Sequence, residues 1–197
     1  EDGCEVPFIR PAELAQDASS HMDCIRHAIN MMAEQENYEA DYVMILQPTS
    51  PFRTGKDIDN AIGMIIESSC DAVVSVTKSS ASLTKTFYVD EDSGEMNPYA
   101  LSVPAQEYIR RQDTPSVYAE NGAIFVQRVS SILNPCWARC GSLFSEDTKA
   151  YIMPNDRSLD IDEPYDLELA RLLIAHRREQ ANVEILETPT TALKLKP

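Results

Sequence analysis

Val43-Met44-Ile45-Leu46-Gln47-Pro48-Thr49-Ser50-Pro51-Phe52-Arg53 is the stretch whose reading decides the fold. Four apolar residues open it and read as a buried strand. Two prolines then forbid both a strand ladder and a helix, and a polar turn ends on an arginine. Thr54 follows as an N-cap with Asp57 at the third helical position, so a helix starts there. A buried strand that feeds a rigid polar loop and then a helix is how open α/β sheets build sites, at the carboxyl end of the strand. An ordinary strand-to-helix connection has the same outline. Gln47 favours a site, because a polar amide at the end of an apolar strand needs a partner and a ligand is one candidate.

Outward from this stretch the chain alternates. On the amino side, Ser20 caps a helix predicted over about 21–35, in which Met22, Ile25, Ile29 and Met32 recur at helical spacing. On the carboxyl side, Ile58, Ala61, Ile62, Ile65 and Ile66 make an apolar stripe that ends near Ser68. Ala72-Val73-Val74-Ser75-Val76 is a second buried strand. Strand, helix, strand over this distance predicts a right-handed crossover to a parallel neighbour. Residues 78–118 show no long helix: Thr86-Phe87-Tyr88-Val89 reads as a strand and Asp90 to Gly94 as a turn. Glu120-Asn121-Gly122 reads as a turn before the apolar strand Ala123-Ile124-Phe125-Val126. A short helix from Ser130, a strand at Lys149-Ala150-Tyr151-Ile152-Met153, and a well-covered helix from Pro164 to about Arg178 complete the pattern.

Composition bounds the function. The 197 residues suffice for a sizeable core, and 43% hydrophobic with 25% charged content reads as globular and soluble. A formal net charge of −15 argues against nucleic acid and anionic membrane as partners. It leaves room for a small anionic substrate held by a local basic cluster or a metal. No apolar run approaches the ~20 residues of a membrane span, and nothing at the start resembles a signal peptide. Five scattered cysteines read as reduced thiols, and the expected location is cytoplasmic. The first residue is Glu1, so the chain reads as processed, trimmed or partial.

Asp160-Ile161-Asp162 is the second informative stretch. Alternation puts both carboxylates on one side of an extended segment and Ile161 on the other. Side by side they repel unless a proton or a cation sits between them. Hard oxygen ligands of this kind suit Mg²⁺ bound jointly with phosphate oxygens; a solvated acidic turn before the Pro164 helix is the competing reading. Arg10, Arg53, Lys85, Arg110 and Arg111 are the basic candidates for a triphosphate and a carboxylate. The six glycines form no phosphate-cradling loop of dinucleotide or P-loop type. Spacing alone therefore leads to a metal-assisted, nucleotide-handling α/β domain.

Five stretches taken together resemble the cytidylyltransferases that activate sialic acid and related nonulosonic acids. They are Arg10 to Ala15, Leu46 to Arg53, Asp71 to Val76, Asn121 to Phe125, and Tyr151-Ile152-Met153 through Asp160-Ile161-Asp162, in that family's order and over nearly the whole chain. The resemblance implies an α/β fold with a mostly parallel, Rossmann-like nucleotidyltransferase sheet, helices on both faces, and a small β-rich dimerisation insertion. It implies that CTP and a nonulosonic acid give the CMP-sugar and pyrophosphate, with Mg²⁺ on Asp160 and Asp162. Gln47 matches a sugar- and ribose-contacting glutamine counted with the two aspartates as catalytic. Arg10, Ser19 and Ser20 match the nucleotide-binding segment. Arg53, Lys85, Arg111, Asn121 and Phe125 match the substrate side.

The same resemblance divides the chain into residues 1–77 (part of the nucleotide-binding domain), 78–118 (dimerisation and substrate insertion, with help from Leu143-Phe144), 119–181 (completion of the domain with the metal site) and a tail at 182–197, and it implies a homodimer. The family opens with a strand and a loop rich in Arg, Ser, Gly and Lys that grips the CTP phosphates, and this sequence begins after it. Phe125 replaces a common tyrosine, Ala119 an arginine and His21 a small hydroxyl residue, which points to a legionaminic- or pseudaminic-type acid. A metal-dependent glycosyltransferase holding a nucleotide-sugar on Asp160 and Asp162, and a non-enzymatic dimerising or binding module, are the alternative readings.

Overall fold

The computed structural model describes residues 3, 5–16, 19–81, 86–99, 116–133, 145 and 147–187, with side chains to residue 180. Lys85, Arg110, Arg111, Leu143, Phe144 and the last ten residues lie outside the described residues, as do Cys4, Cys136 and Cys140. Cys24 and Cys70 are both free thiols.

Among the described residues, four helices and six strands follow a 3-10 turn at Ala12–Leu14: α1 (His21–Glu36), β1 (Tyr42–Ile45), α2 (Gly55–Ser68), β2 (Ala72–Lys78), β3 (Phe87–Val89), β4 (Met96–Pro98), β5 (Tyr118–Arg128), α3 (Val129–Ile132), β6 (Thr148–Met153) and α4 (Pro164–Glu187). The main sheet has the order β1-β5-β2-β6, and β3 and β4 form a separate antiparallel hairpin. β6 runs parallel to β2, whereas β5 is antiparallel to both β1 and β2. Strands β1, β2 and β6 therefore share one direction, as the α/β reading requires, and β5 is the reversed member.

One expectation changes. β1 and β2 are parallel but not neighbours, because β5 enters between them with Ile45 opposite Phe125 on one side and Val74 opposite Phe125 on the other. An eleven-residue strand with seven consecutive buried positions, Asn121 to Gln127, is suited to the centre of a sheet. Its position also corrects the reading of Asn121-Gly122 as a turn. Both residues lie inside β5, where Val74 pairs with Phe125 but Val76 pairs with Glu120, so the extra residues bulge out. Gly122 has φ +67°, a conformation in which a side chain is strained.

Alternation along β1 places a helix on each face. Val43 and Ile45 pack with Met22, Ile25, Ile29 and Ile132 on the side of α1. Tyr42 and Met44 pack on the other side with the cluster of Ala61, Ile65, Val73, Ile124 and Met153, which includes α2. The Thr54 hydroxyl accepts from the Asp57 N–H while the Asp57 carboxylate accepts from the Thr54 N–H, so α2 starts on a reciprocal capping box. Burying Ile65 completely contributes about 2–3 kcal/mol.

α4 departs from expectation too. Among its described side chains only Ala170 is buried, while Leu172 is 67% exposed and Tyr165, Leu167 and Ile174 are exposed as well. Apolar residues fall on more than one side of this helix, and among the described contacts it is held chiefly through Arg177, which stacks on Phe52 and bonds to Asp156.

Candidate functional site

The shared direction of β1, β2 and β6 brings the residues that follow β1 and β6 to the same end of the sheet, where the first half of the antiparallel β5 also lies. Gln47 leaves the end of β1. The loop after β6 passes through a 3-10 turn at Asn155–Arg157 and returns to the β1 loop, with the Ile161 N–H donating to the Thr49 carbonyl at 2.9 Å. The Ser50 hydroxyl reaches Asp160 Oδ1 at 3.2 Å and the Asn121 carbonyl at 3.1 Å. Gln47 and Asp160 are thus brought together although more than a hundred residues separate them.

Gly122 sits beneath this meeting point. A Cβ on it would lie 2.6 Å from Gln47 Oε1 and 3.0 Å from Ser50 Oγ, and would collide with Asp160 Oδ2. The glycine is required twice, by its positive φ and by that close approach. Gly122→Ala is expected to cost about 2 kcal/mol or more, measured as a fall in Tm; an unchanged melting curve would show that the two segments are not held where described.

The turn itself is braced from inside. Arg53 Nη1 donates to the carbonyls of Gln47 (2.6 Å), Ser50 (3.0 Å) and Ala123 (3.3 Å). The side chain expected on the substrate therefore ties the loop to β5, and burial lowers its guanidinium pKa from the usual value. Asn121, buried at 3% exposure, accepts from Ser75 and donates to Ser158 at 2.9 Å, so it also locks the segment that leads to Asp160. Phe125 is 2% exposed and opposite Ile45 on the α1 face of the sheet.

On the α1 side, Ser20 is the N-cap, accepting from the Met22 N–H. Ser19 accepts from Gln16 N–H and donates to the Glu13 carbonyl. Arg10 is exposed, with its guanidinium 4.0 Å from Cys24 Sγ. A cavity of about 330 Å³, lined by His21, Cys24, Ile25, Ile45, Gln47 and Pro48, joins this helix end to the β1 loop. A larger one of about 640 Å³, between α2 and the outer strand β6, contains none of the expected site residues. The smaller cavity is the one that belongs to the site, because Gln47 lines it.

Among the described residues no three His, Cys, Asp or Glu side chains converge as a metal cage. Mg²⁺ does not need one: it is commonly held by one or two carboxylates together with substrate phosphates. Half-buried Asp160 and the side-chain amide oxygen Oε1 of Gln47, both over Gly122, are hard oxygen donors that fit such an ion, and exposed Asp162 follows two residues on. Sequence reasoning did not assign roles to Ser50, Ser75, Ser158 or Arg157. Ser50 had a local signal, a small hydroxyl between two chain-stiffening prolines. The others are revealed only by the meeting of distant strands.

No protein-family model matches the chain. It is 30% identical over 182 residues to N-acylneuraminate cytidylyltransferase of Escherichia coli O18:K1:H7, a match that covers 91% of this chain and 39% of that protein. It is 24% identical to pseudaminic acid cytidylyltransferase of Campylobacter jejuni, covering 91% and 73%, and 29% identical to CMP-N,N'-diacetyllegionaminic acid synthase of Legionella pneumophila, covering 90% and 72%. The chain thus spans well under half of the first relative and nearly three quarters of the other two. The solved structure of CMP:2-keto-3-deoxy-manno-octonic acid synthetase complexed with CTP matches 82% of this chain and 70% of that one at a TM-score of 0.51 and 15% identity, which concerns the fold. Along about nine-tenths of its length the chain is therefore similar to cytidylyltransferases named for sialic, pseudaminic and legionaminic acids, and it has the mixed α/β fold of a CMP-sugar-acid synthetase.

Proposed function

We propose that the chain belongs to a cytidylyltransferase that joins CMP from CTP to a nonulosonic acid and releases pyrophosphate, with Mg²⁺ as cofactor. The observation that carries this reading is the convergence of Gln47 and Asp160 over Gly122, at the carboxyl end of β1 and β6. The similarity to cytidylyltransferases over 91% of the chain supports it.

The anomeric hydroxyl of the acid attacks the α-phosphorus of CTP, the bond to the β-phosphate oxygen breaks, and pyrophosphate leaves with that oxygen. Asp160 and Asp162 would hold Mg²⁺, which would supply charge neutralisation to the triphosphate during in-line displacement. Gln47 orients ribose and sugar from its fixed place after β1. Arg10, Ser19 and Ser20 border the nucleotide; Arg10 lies beside Cys24 and Ser20 precedes His21, and Cys24 and His21 both line the 330 Å³ cavity. Arg53 acts from inside the loop, keeping Gln47 and Ser50 in register. Asn121 sets the wall between the two segments, with Phe125 behind it. Lys85 and Arg111 supply positive charge for the acid's carboxylate. His21, Ala119 and Phe125 favour a legionaminic- or pseudaminic-type acid.

The working form is a homodimer joined through residues 78–118. The β3–β4 hairpin supports this assignment. It pairs only with itself among the described strands and exposes Phe87, Tyr88, Val89 and Met96, and a lone two-stranded hairpin is marginal in water.

The decisive assay is pyrophosphate release from CTP by the natural gene product, with Mg²⁺ and each of N-acetylneuraminic, legionaminic and pseudaminic acid. Release with at least one acid is expected, and silence with all of them defeats the proposal. Binding gives an independent check. CTP with Mg²⁺ at about 100 times its Kd raises stability by about 2.7 kcal/mol. If a finished nucleotide-sugar raises Tm while CTP does nothing, the glycosyltransferase reading replaces this one.

A further inference from the structure

We propose that Ser50 is a positioning residue for the Asp160 carboxylate, fixing which of its two oxygens faces the space over Gly122 that Gln47 also borders. The inference rests on the reading of Asp160 as a cation ligand.

Ser50 is completely buried. Its backbone is immobilised on both sides: its N–H donates to the Gln47 carbonyl at 3.3 Å and its carbonyl accepts from Arg53 at 3.0 Å. Pro48 and Pro51 flank this arrangement and remove two backbone rotations from the turn. The side chain therefore has little freedom except rotation of the hydroxyl.

That hydroxyl has one proton and two acceptors within reach, the Asn121 carbonyl at 3.1 Å and Asp160 Oδ1 at 3.2 Å. The carbonyl alone would satisfy a buried hydroxyl. The second acceptor is surplus to that need, and it is the carboxylate with the proposed chemical role. With Oδ1 engaged by Ser50, Oδ2 is the oxygen that lies over Gly122 beside Gln47 Oε1. A carboxylate presented in this way is oriented before any cation arrives. Hydrogen bonds to ligating carboxylates commonly have this function, and their loss weakens metal binding about 10- to 100-fold.

A merely structural hydroxyl predicts something different, namely lower stability with unchanged metal affinity in the folded molecules. The test is Mn²⁺ binding in the presence of CTP, read from the electron paramagnetic resonance signal of free Mn²⁺, with circular dichroism melting on the same samples. Ser50→Ala is expected to weaken Mn²⁺ binding about tenfold, while CTP binding without metal changes by less than about twofold. A folded Ser50→Ala that takes up Mn²⁺ as the unaltered chain does overturns the inference and leaves the proposed function standing. If the unaltered chain with CTP takes up no Mn²⁺, the reading of Asp160 as a ligand falls, and this inference falls with it. Should Ser50→Ala fail to fold, Ser50→Cys keeps the bulk and a weaker donor. A loss smaller than the roughly tenfold of full removal is then expected, and no loss overturns the inference.

Discussion

Asp160→Asn is expected to lower Mg²⁺-dependent turnover of CTP by about 10²- to 10³-fold, while changing stability by less than about 1 kcal/mol. The first figure corresponds to several kcal/mol of transition-state charge stabilisation lost with a misheld cation. The second follows from the site's geometry. Asparagine has the shape of aspartate, its oxygen still accepts from Ser50, and Ser50 has the Asn121 carbonyl as a second acceptor. Removing one negative charge also relieves repulsion from Asp162, two residues on. Asp162→Asn should lose turnover to a similar degree with an even smaller change in Tm, because Asp162 is exposed. Steady-state rates of pyrophosphate release, paired with thermal melting, separate the two possibilities. If both variants melt far below the unaltered chain, the acidic pair is a structural element. If both turn over normally, the cation sits elsewhere. Either result removes the chemical role given to this segment.

How much of this was legible in the sequence depends on the range of the interaction. α2 runs from Gly55 to Ser68 as its pattern predicts, because a Thr54–Asp57 capping box and an isoleucine stripe are both written within one helix's length. The turn after β1 was legible for the same reason, since prolines act locally. Strand β5 was legible as a strand and not as an insertion between β1 and β2. Nothing within residues 118–128 encodes which strands they lie between. Asn121-Gly122 was misread because a left-handed glycine serves a turn and a bulge equally well. Only the partner strand, with Val74 opposite Phe125 and Val76 opposite Glu120, makes it a bulge. Arg53 illustrates the limit at the site. An arginine closing a polar loop reads as a ligand contact, yet three backbone carbonyls take up one of its nitrogens. The resemblance groups Gln47 with Asp160 as catalytic, and the folded sheet is what gives that pair its distances.

Asp57→Ala is expected to cost about 3 kcal/mol and to lower Tm by about 9 °C, at about 3 °C per kcal/mol for a chain of this length. Asp57 is 1% exposed and receives Arg157 Nε and Nη2 at 3.0 and 2.8 Å, the Tyr151 hydroxyl at 3.0 Å and the Thr54 N–H at 2.9 Å. Burial pushes its carboxyl pKa up, but the hydrogen bonds from Arg157, Thr54 and Tyr151 outweigh burial and hold it well below the usual carboxylate range. Removing the carboxylate strips the α2 cap and leaves Arg157, whose side chain is 31% exposed, without its partner. Partial solvation of that arginine places the cost at the low end for a broken buried pair.

The pH dependence has a definite sign. A carboxylate with a depressed native pKa binds fewer protons folded than unfolded, so its stabilisation is fully present above the unfolded value of about 3.9. It is lost as pH falls from there through the native pKa. Asp57→Ala should therefore differ most from the unaltered chain above about pH 5 and converge with it in stronger acid. Urea melts between pH 2.5 and 7 measure this. A constant difference across that range would show that the ionised carboxylate contributes nothing.

The consequence reaches the site as well, because Arg157 stands in the turn between β6 and Asp160. Releasing it frees one of the ties that hold the acidic segment against Thr49 and Ser50. Asp57→Ala should then weaken Mn²⁺ binding with CTP in molecules that are still folded, although Asp57 lies in the first turn of α2. Unchanged affinity would confine the ion pair to a role in stability.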